Sequence, residues 1–247
     1  MDSIKKILIT RQGKKFYAKD LNEDLHTQYG FIKKDDLKKA RDGDLLKSNT
    51  DKEFLVFSPS FIDLYRKIKR DAQIIPLKDI GLIIAETGIN KESRVLDAGS
   101  GSGALACFLA SIAKEVITYD ITEDFIEIVK SNVDFLKLKN LKIKNKNIYD
   151  EIDDKNFDVV ILDLPEPWNA LDNCSKALKI AGFLVSYSPS VPQVADFVNA
   201  LRKKESFIYI KTVEITEREW EVEERRVRPK SKGIGHSGFL SFARKAV

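Results

Sequence analysis

The chain has 247 residues, 43% of them hydrophobic and 32% charged, which suits one large α/β domain or a small domain and a medium one. No apolar run approaches the ~20 residues of a membrane span, and no apolar stretch typical of a secretion signal follows the start, so we expect a cytoplasmic protein without membrane contact. The net charge of +4 resides in the first 52 residues, with 13 basic against 9 acidic side chains, which favours either a polyanionic partner or an ordinary solvated surface.

Short apolar segments separated by turns fill the first part of the chain. The strand signals lie at 7–10, 15–18, 29–32 and 54–57. The first two flank a glycine-containing turn and predict a β-hairpin. Ser58 and Pro59 then open a helical pattern that runs to Lys69. We therefore predict a small N-terminal β domain over residues 1–58, followed by a second domain over residues 59–247.

Strand and helix patterns then alternate toward the end of the chain. Strand signals occur at 94–97, 115–120, 141–144, 157–163, 182–187, 207–215 and 238–244. Helical patterns separate most of them, at 105–113, 124–136, 171–179 and 194–203. This alternation predicts an α/β domain with a doubly wound, mostly parallel sheet. The last two strands have no helical pattern between them and are predicted to pair antiparallel.

A glycine-rich turn follows the strand at 94–97, in the sequence Asp97-Ala-Gly99-Ser-Gly-Ser-Gly103. Glycines permit a sharp turn and close approach to a ligand, and the next helix N-terminus offers free amides. Asp120 follows Gly99 by 21 positions at the end of the next strand, where a carboxylate can accept hydrogen bonds from ribose hydroxyls. The Gly-x-Gly-x-Gly spacing, with an acid before it that can pair with a methionine amino group, favours S-adenosylmethionine over a dinucleotide. The alternative is a tight turn without a ligand.

S-adenosylmethionine is therefore the predicted cofactor. Its predicted contacts are Asp97, Gly99, Ser102, Gly103, Ala104, Leu105, Asp120, Phe125, Asn147, Ile148 and Asp163. Among these, Phe125 and the segment 147–149 are candidates for the wall of the adenine pocket, although either could be ordinary core. No metal site is expected, because Cys107 and Cys174 lack the spacing of metal ligands.

The strand at 157–163 ends in Asp163, which the stiff loop Leu-Pro-Glu-Pro-Trp follows at 164–168. Ligands of open α/β sheets bind at the carboxyl ends of strands. In many nitrogen methyltransferases an Asp or Asn at this point hydrogen-bonds the amino group of the substrate. Asp163 is therefore the predicted catalytic residue, and the alternative is that it merely ends the strand and caps the next helix.

Together these motifs resemble one family over nearly the whole chain, the tRNA (adenine-N1)-methyltransferases that modify the T-loop adenine at tRNA position 58. The resemblance rests on the N-terminal β domain, the glycine turn, Asp163 with its loop, and segments at 69–75, 78–79, 192–193, 218–220, 228–229 and 235–240. The chain departs from the family at Pro76-Leu77, which replaces an aromatic residue and a proline. Asp97 and Asp120 stand where glutamate is usual, and Asn147 replaces an acid.

The resemblance implies a Rossmann-like class I methyltransferase that forms N1-methyladenosine at position 58 of tRNA, and it leaves open whether a neighbouring adenine is also modified. It also implies a homotetramer, and an Asp163 that holds the exocyclic amine of the adenine and orients N1 toward the methyl group. The alternative function is a class I methyltransferase that acts on protein carboxylates or on a small molecule.

Two features near the C-terminus allow two interpretations each. The basic run 225–232 is a candidate for phosphate contacts, or it is a solvated loop neutralised by Glu219, Glu221, Glu223 and Glu224. His236, which lies between two glycines, either lines the substrate pocket or is a structural hydrogen-bonding residue.

Overall fold

The computed structural model describes residues 3–71, 73–150, 152–233 and 235–247, so Ala72 of the family-like segment 69–75 lies outside the described residues. The chain divides into two compact units, Met1–Ile68 and Lys69–Val247. Within the described residues, no helix is long and apolar enough to cross a membrane.

The first unit is mainly β. Its elements are β1 (Lys6–Ile9), β2 (Lys15–Ala18), β3 (Leu25–Thr27), β4 (Gly30–Ile32), α1 (Lys34–Lys39), β5 (Leu45–Lys47), β6 (Glu53–Phe57) and α2 (Phe61–Tyr65). Four strands form an antiparallel sheet in the order β2-β1-β6-β5, and β3 pairs with β4. The predicted hairpin is thus present as β1 and β2. Buried apolar residues of the strands and of α1, including Leu8, Leu37 and Phe54, form the core of this unit.

The unit boundary lies ten residues later than the predicted domain boundary, at 68 instead of 58. The short helix α2 begins with a capping box, in which Ser60 and Asp63 exchange hydrogen bonds. Asp63 also pairs with Lys15 of β2 at 2.9 Å, and the ammonium group of Lys67 lies 4.2 Å from the ring centroid of Tyr17. These contacts attach α2 to the N-terminal strands.

The second unit carries the predicted alternation of strands and helices. Its elements are α3 (Leu77–Thr87), β7 (Arg94–Ala98), α4 (Ala104–Ala110), β8 (Glu115–Asp120), α5 (Glu123–Leu136), β9 (Leu141–Asn145), β10 (Phe157–Leu162), α6 (Leu171–Ala177), β11 (Leu178–Ser188), α7 (Val191–Arg202), β12 (Phe207–Val213), β13 (Trp220–Glu223), β14 (Arg226–Pro229) and β15 (Phe239–Lys245). A single turn of 3₁₀-helix, Pro167–Ala170, precedes α6.

Seven strands of this unit form one sheet in the order β12-β15-β11-β10-β7-β8-β9. All neighbouring pairs from β9 to β11 are parallel, and β15 runs antiparallel to both β11 and β12. The predicted doubly wound fold and the antiparallel final pair are both confirmed. The chain builds outward from β7 in one direction and from β10 in the other, so the strand order reverses between these two strands. In sheets of this kind, that point is where ligands bind.

Candidate active site

The glycine turn after β7 has the left-handed backbone that its sequence predicts. Gly99, Gly101 and Gly103 have φ values of +91°, +47° and +72°. The backbone N–H of Gly99 donates to the carbonyl of Tyr119 over 3.0 Å, which ties the turn to the end of β8. A β-carbon on Gly103 would lie 2.8 Å from Val129 of α5. This glycine therefore allows close packing as well as the turn.

The carboxylate of Asp120, at the end of β8, holds the glycine turn by hydrogen bonds. Its Oδ2 accepts hydrogen bonds from the Ser100 hydroxyl over 3.1 Å and from the Gly101 amide over 3.0 Å. Its Oδ1 accepts one from the Thr122 amide over 2.9 Å. A carboxylate has about four acceptor sites, so Oδ1 keeps capacity for a further donor. Asp120 thus has a structural role in addition to its predicted contact with ribose.

Asp97 is fully enclosed beside the turn. Its Oδ2 accepts a 2.6 Å hydrogen bond from Thr118, whereas its buried Oδ1 accepts none from any described residue. Burial raises the pKa of Asp97 to about 7; the Thr118 hydrogen bond opposes this rise, and the charges of Asp163 and Asp120 add to it. An unsatisfied buried carboxylate oxygen is costly unless a ligand donates to it.

The buried side chain of Asn132 links the end of the glycine turn to the segment that begins at Lys69. Its amide group donates to the carbonyl of Ser102 over 2.8 Å and to that of Lys69 over 3.0 Å, and its oxygen accepts from the Lys69 amide over 2.8 Å. The Ser102 hydroxyl accepts a hydrogen bond from the Asp71 amide over 2.9 Å. Ala104 and Leu105, which follow directly, are buried in the first turn of α4. The side chain of Ser102 is therefore engaged in holding the segment 69–71.

Asp163 lies at the carboxyl end of β10, next to the turn. Its backbone N–H donates to the carbonyl of Ala98 over 2.9 Å, which continues the pairing of β10 with β7. Burial raises the pKa of the Asp163 carboxyl group to about 7. This side chain forms no hydrogen bond with the described residues, so it remains able to accept one from a ligand.

Gln193 holds the loop after Asp163 in place. Its amide group donates to the carbonyl of Pro165 over 3.1 Å, and its oxygen accepts from the Ser190 hydroxyl over 2.8 Å. Gln193 lies in the first turn of α7, after the preceding strand β11 has ended. The segment 192–193 belongs to the family-like set, and this contact gives a physical reason for the glutamine.

A pocket of about 240 Å³ opens at the carboxyl ends of β7, β8, β9 and β10. It is lined by residues 98–99, 119–121, 146–149 and 164–166. The predicted residues Gly99, Asp120, Asn147 and Ile148 therefore meet in one cavity. Tyr119, Ile121 and Lys146 also line it, although no sequence motif points to them. Phe125, a half-buried residue of α5, does not line this pocket, and its contact with a cofactor stays a prediction.

His236 is held by acceptors on both sides of its ring. Its Nδ1 lies 2.6 Å from a carboxylate oxygen of Glu214, and its Nε2 lies 2.9 Å from the carbonyl oxygen of Pro189. Only the doubly protonated imidazolium can donate to both, and the Glu214 hydrogen bond raises the pKa of His236 accordingly. These contacts favour the structural interpretation of this histidine.

Next to His236, a buried polar network anchors the segment before β15. The Ser237 hydroxyl donates to Asp79 over 2.8 Å, and Lys78 donates to both Asp79 and Ser237, over 2.7 and 2.6 Å. The Tyr187 hydroxyl donates to the Ser237 carbonyl over 2.6 Å. This network explains why the family-like segments 78–79 and 235–240 occur together.

The basic run 225–232 lies mostly in the hairpin of β13 and β14, where its cations meet glutamates. Arg228 binds Glu221 at 2.7 Å, Arg226 lies 3.8 Å from Glu223, and Lys230 pairs with Glu219. One face of the hairpin is thus a ladder of ion pairs. This pairing favours the solvated, neutralised interpretation over direct phosphate contacts for these three cations.

Comparison with known proteins gives a consistent result. Residues 63–234 match the sequence model of a family described as the tRNA methyltransferase complex GCD14 subunit. The chain is 35% identical to the tRNA (adenine(57)-N(1)/adenine(58)-N(1))-methyltransferase TrmI of Methanocaldococcus jannaschii, over 97% of this chain and 94% of that protein. It is 30% identical to the tRNA (adenine(58)-N(1))-methyltransferase TrmI of Thermus thermophilus, over 89% and 88% of the two chains.

Solved structures share the complete architecture. The tRNA (m1A58) methyltransferase TrmI from Aquifex aeolicus superposes with a TM-score of 0.84 at 29% identity, over 100% of this chain and 99% of that one. A SAM-dependent O-methyltransferase from Thermotoga maritima superposes with a TM-score of 0.89 at 28% identity, over 100% and 94%. The fold is therefore that of a Rossmann-like class I methyltransferase.

Proposed function

Because the chain belongs to the tRNA (adenine-N1)-methyltransferase family, we propose that it is a S-adenosylmethionine-dependent enzyme that forms N1-methyladenosine at position 58 of tRNA. The observation that carries this proposal is the position of Asp163. Its carboxyl group, free of hydrogen bonds to the described residues, stands at the end of β10 beside the glycine turn that follows β7. Asp163, which would accept from the target base, and the glycine turn, which would bind the cofactor, both lie where the strand order reverses.

The residues of this chain fit S-adenosylmethionine, which supplies an activated methyl group when bound. The unpaired Oδ1 of Asp97 suits the amino group of a methionine moiety, because a cationic donor would satisfy it. The turn at Gly99, Ser102 and Gly103, with the start of α4 at Ala104 and Leu105, would lie against the polar middle of the cofactor. Asp120 would accept from the ribose, and Asn147 and Ile148 would flank the adenine, with Phe125 as a further candidate.

Asp163 would hold the exocyclic amine of the target adenine and thereby aim N1 at the methyl group. Adenine N1 has a lone pair, so the reaction depends on positioning and on charge stabilisation more than on a strong base. The ring gains positive charge as the N–C bond forms. A carboxylate beside the ring has the sign that stabilises this charge.

Self-association into a homotetramer is part of the proposal. Trp220, Val222 and Val227 lie on one face of the β13–β14 hairpin, opposite the ion-pair ladder, and are 52%, 71% and 56% exposed. The edge strand β12 adds the exposed Ile208 and Ile210. A two-stranded hairpin is marginally stable alone, and contiguous exposed apolar residues mark interfaces. A monomer mass in light scattering at micromolar concentration would contradict a tetramer.

Methylation of unmodified tRNA, followed by digestion and mass spectrometry, tests the substrate. The expected product is 1-methyladenosine at position 58, and the same map shows whether a neighbouring adenine also carries the group. A methyl group on a cytosine, a guanine or a ribose would refute the proposed substrate. The Thermotoga protein is described as an O-methyltransferase, so a parallel assay with protein carboxylates and small hydroxylated acceptors tests the alternative function.

A further inference from the structure

Three turns meet at one end of the sheet in the first unit. They are the β1–β2 turn at 10–14, the β3–β4 turn at 27–30 and the β5–β6 turn at 48–52. Hydrogen bonds join them: the Phe31 amide donates to the Asn49 side chain over 2.8 Å, and the Thr50 hydroxyl donates to the Tyr29 carbonyl over 2.8 Å. Each turn is therefore held in place by its neighbours.

Two lysines at this end donate to neutral acceptors, and neither forms an ion pair with a carboxylate among the described residues. Lys14 donates to the side-chain oxygen of Gln28, and Lys52 donates to that of Gln12 over 3.1 Å. Their ammonium groups lie 5.6 and 5.2 Å from the ring centroid of Tyr29. Arg11 is exposed, and its side chain forms no hydrogen bond, ion pair or ring contact with the described residues. We call Arg11, Lys14, Lys52 and Tyr29 the basic tip.

The charge of the basic tip is largely uncompensated. The three turns contain three cations and a single acid, Asp51, which forms no ion pair with the described residues. The β13–β14 hairpin differs in this respect, since Arg226, Arg228 and Lys230 each face a glutamate. A cation already paired must break that pair to bind a phosphate, whereas the basic tip offers its charges directly.

We propose that the basic tip is a docking surface for the sugar-phosphate backbone of tRNA. This inference rests on the proposed function and identifies which of the basic segments meets the RNA. Arg11, Lys14 and Lys52 supply charge for phosphates, and the glutamines beside them add neutral donors. Tyr29, whose ring also packs edge-on against Phe16 at 6.0 Å, provides a fixed aromatic surface between two cations, against which a sugar or an unpaired base packs.

A triple variant, Arg11→Gln, Lys14→Gln and Lys52→Gln, tests the surface with unmodified tRNA transcript as the probe. The dissociation constant is measured across a series of potassium chloride concentrations. At about 0.1 M salt it is expected to rise roughly tenfold or more. The slope of log affinity against log salt should fall by about two, since each lost phosphate contact removes ~0.7–0.9. Turnover at saturating tRNA should stay unchanged.

The matched control is Lys34→Gln, Lys38→Gln and Lys39→Gln. It removes the same charge from the same unit, but from exposed positions of α1, which also carries Asp35 and Asp36. An equal loss of tRNA affinity in the control would overturn the proposal, because net charge alone would then explain the effect. Unchanged tRNA affinity in the tip variant would also overturn it. The same result is expected if the basic tip binds an acidic protein and not tRNA.

Two further measurements distinguish the docking surface from misfolding of the variant and from failure of the proposed function. Arg11→Gln alone leaves the hydrogen bonds of the turns intact, so a weaker affinity for tRNA in this variant does not come from misfolding. Wild-type protein that methylates no adenine in tRNA would refute the proposed function. Wild-type protein that methylates tRNA, together with a tip variant of normal affinity, would refute the docking surface alone.

Discussion

The carbonyl oxygen of Asp163 lies 2.1 Å from the point that a β-carbon on Gly99 would occupy. The glycine turn and the loop that begins at Asp163 are therefore in direct backbone contact, and only the absence of a side chain at Gly99 permits it. The φ value of +91° at this residue independently favours glycine.

Gly99→Ala is expected to displace the Asp163 backbone and to reduce both cofactor affinity and turnover. The left-handed backbone and the steric overlap should together lower the free energy of unfolding by about 1–3 kcal/mol. Thermal or denaturant unfolding measures this loss. The control is Gly81→Ala within α3, where a new β-carbon meets no atom within 4 Å; a loss of equal size there would contradict the steric explanation.

Asp120→Ala should weaken S-adenosylmethionine binding by about 1–3 kcal/mol, because the ribose contact is lost, the turn loses two hydrogen bonds and Thr122 loses one. Isothermal titration calorimetry measures the change. Asp124→Ala, an exposed position in the first turn of α5, should bind normally. Equal affinity of wild type and Asp120→Ala would remove Asp120 from the site.

Cofactor affinity should increase with pH up to about 7. The pKa of Asp97 is raised to about 7 by burial, so below that pH its carboxyl group is mostly protonated in the free protein. A cationic amino group beside it would lower this pKa, so binding would release a proton, and affinity would fall by up to ~1.4 kcal/mol for each pH unit below 7. Calorimetry in two buffers of different ionisation enthalpy counts the proton. Asp97→Asn should abolish this release; an unchanged release would assign the proton to another group, such as Asp163.

Asp163→Ala should reduce turnover by roughly 10²-fold or more while cofactor binding stays largely intact, as expected for a group that orients the nucleophile. Asp163→Asn separates two roles. Its loss of turnover should be smaller than that of Asp163→Ala if hydrogen bonding dominates, and equal to it if negative charge is required. In the second case, wild-type turnover should rise as pH passes about 7, where Asp163 ionises. Full turnover by Asp163→Ala would disprove the mechanism.

Asn132→Ala should lower the free energy of unfolding by about 1–3 kcal/mol, because backbone groups of Lys69 and the buried carbonyl of Ser102 lose their partner. Cofactor binding should weaken as well, since Ser102 belongs to the turn. Denaturant unfolding measures the first effect. Glu127→Ala, which removes an exposed ion pair on the same helix, should change stability by no more than ~0.5 kcal/mol; a similar loss in both variants would refute the bracing role.

The sequence predicted the sheet of the second unit well, because its buried strands are continuous apolar runs bounded by turns or helical patterns. It missed α3, whose interior contains Gly81 and whose start at Pro76 carries no side-chain cap. It also missed β13 and β14. Their valines alternate with glutamate or arginine, which is the period of a strand. However, these charged residues are depleted in strands, and the cross-strand ion pairs can be recognised only when the register is known.

The candidate site was predicted in part for a related reason. Motifs pointed to the glycine turn and to the loop after Asp163, since those segments are short and local. Tyr119 and Lys146 were missed because their place in the pocket depends on how β8 and β9 lie beside β7. Likewise, Asn132 acts across 63 positions on Lys69, a contact that no local pattern encodes.

The β13–β14 hairpin lies between β12 and β15 in the chain, and these two strands stay paired up to Val213 and Leu240, with one irregularity between Tyr209 and Lys211. Insertions or deletions between them, in the segment 216–233, leave that register and the buried Ser237 network in place. Changes in the length or charge of this hairpin should therefore leave the rest of the second unit folded. The hairpin is therefore free to differ in length or charge while the glycine turn and the backbone at Asp163 keep their structure.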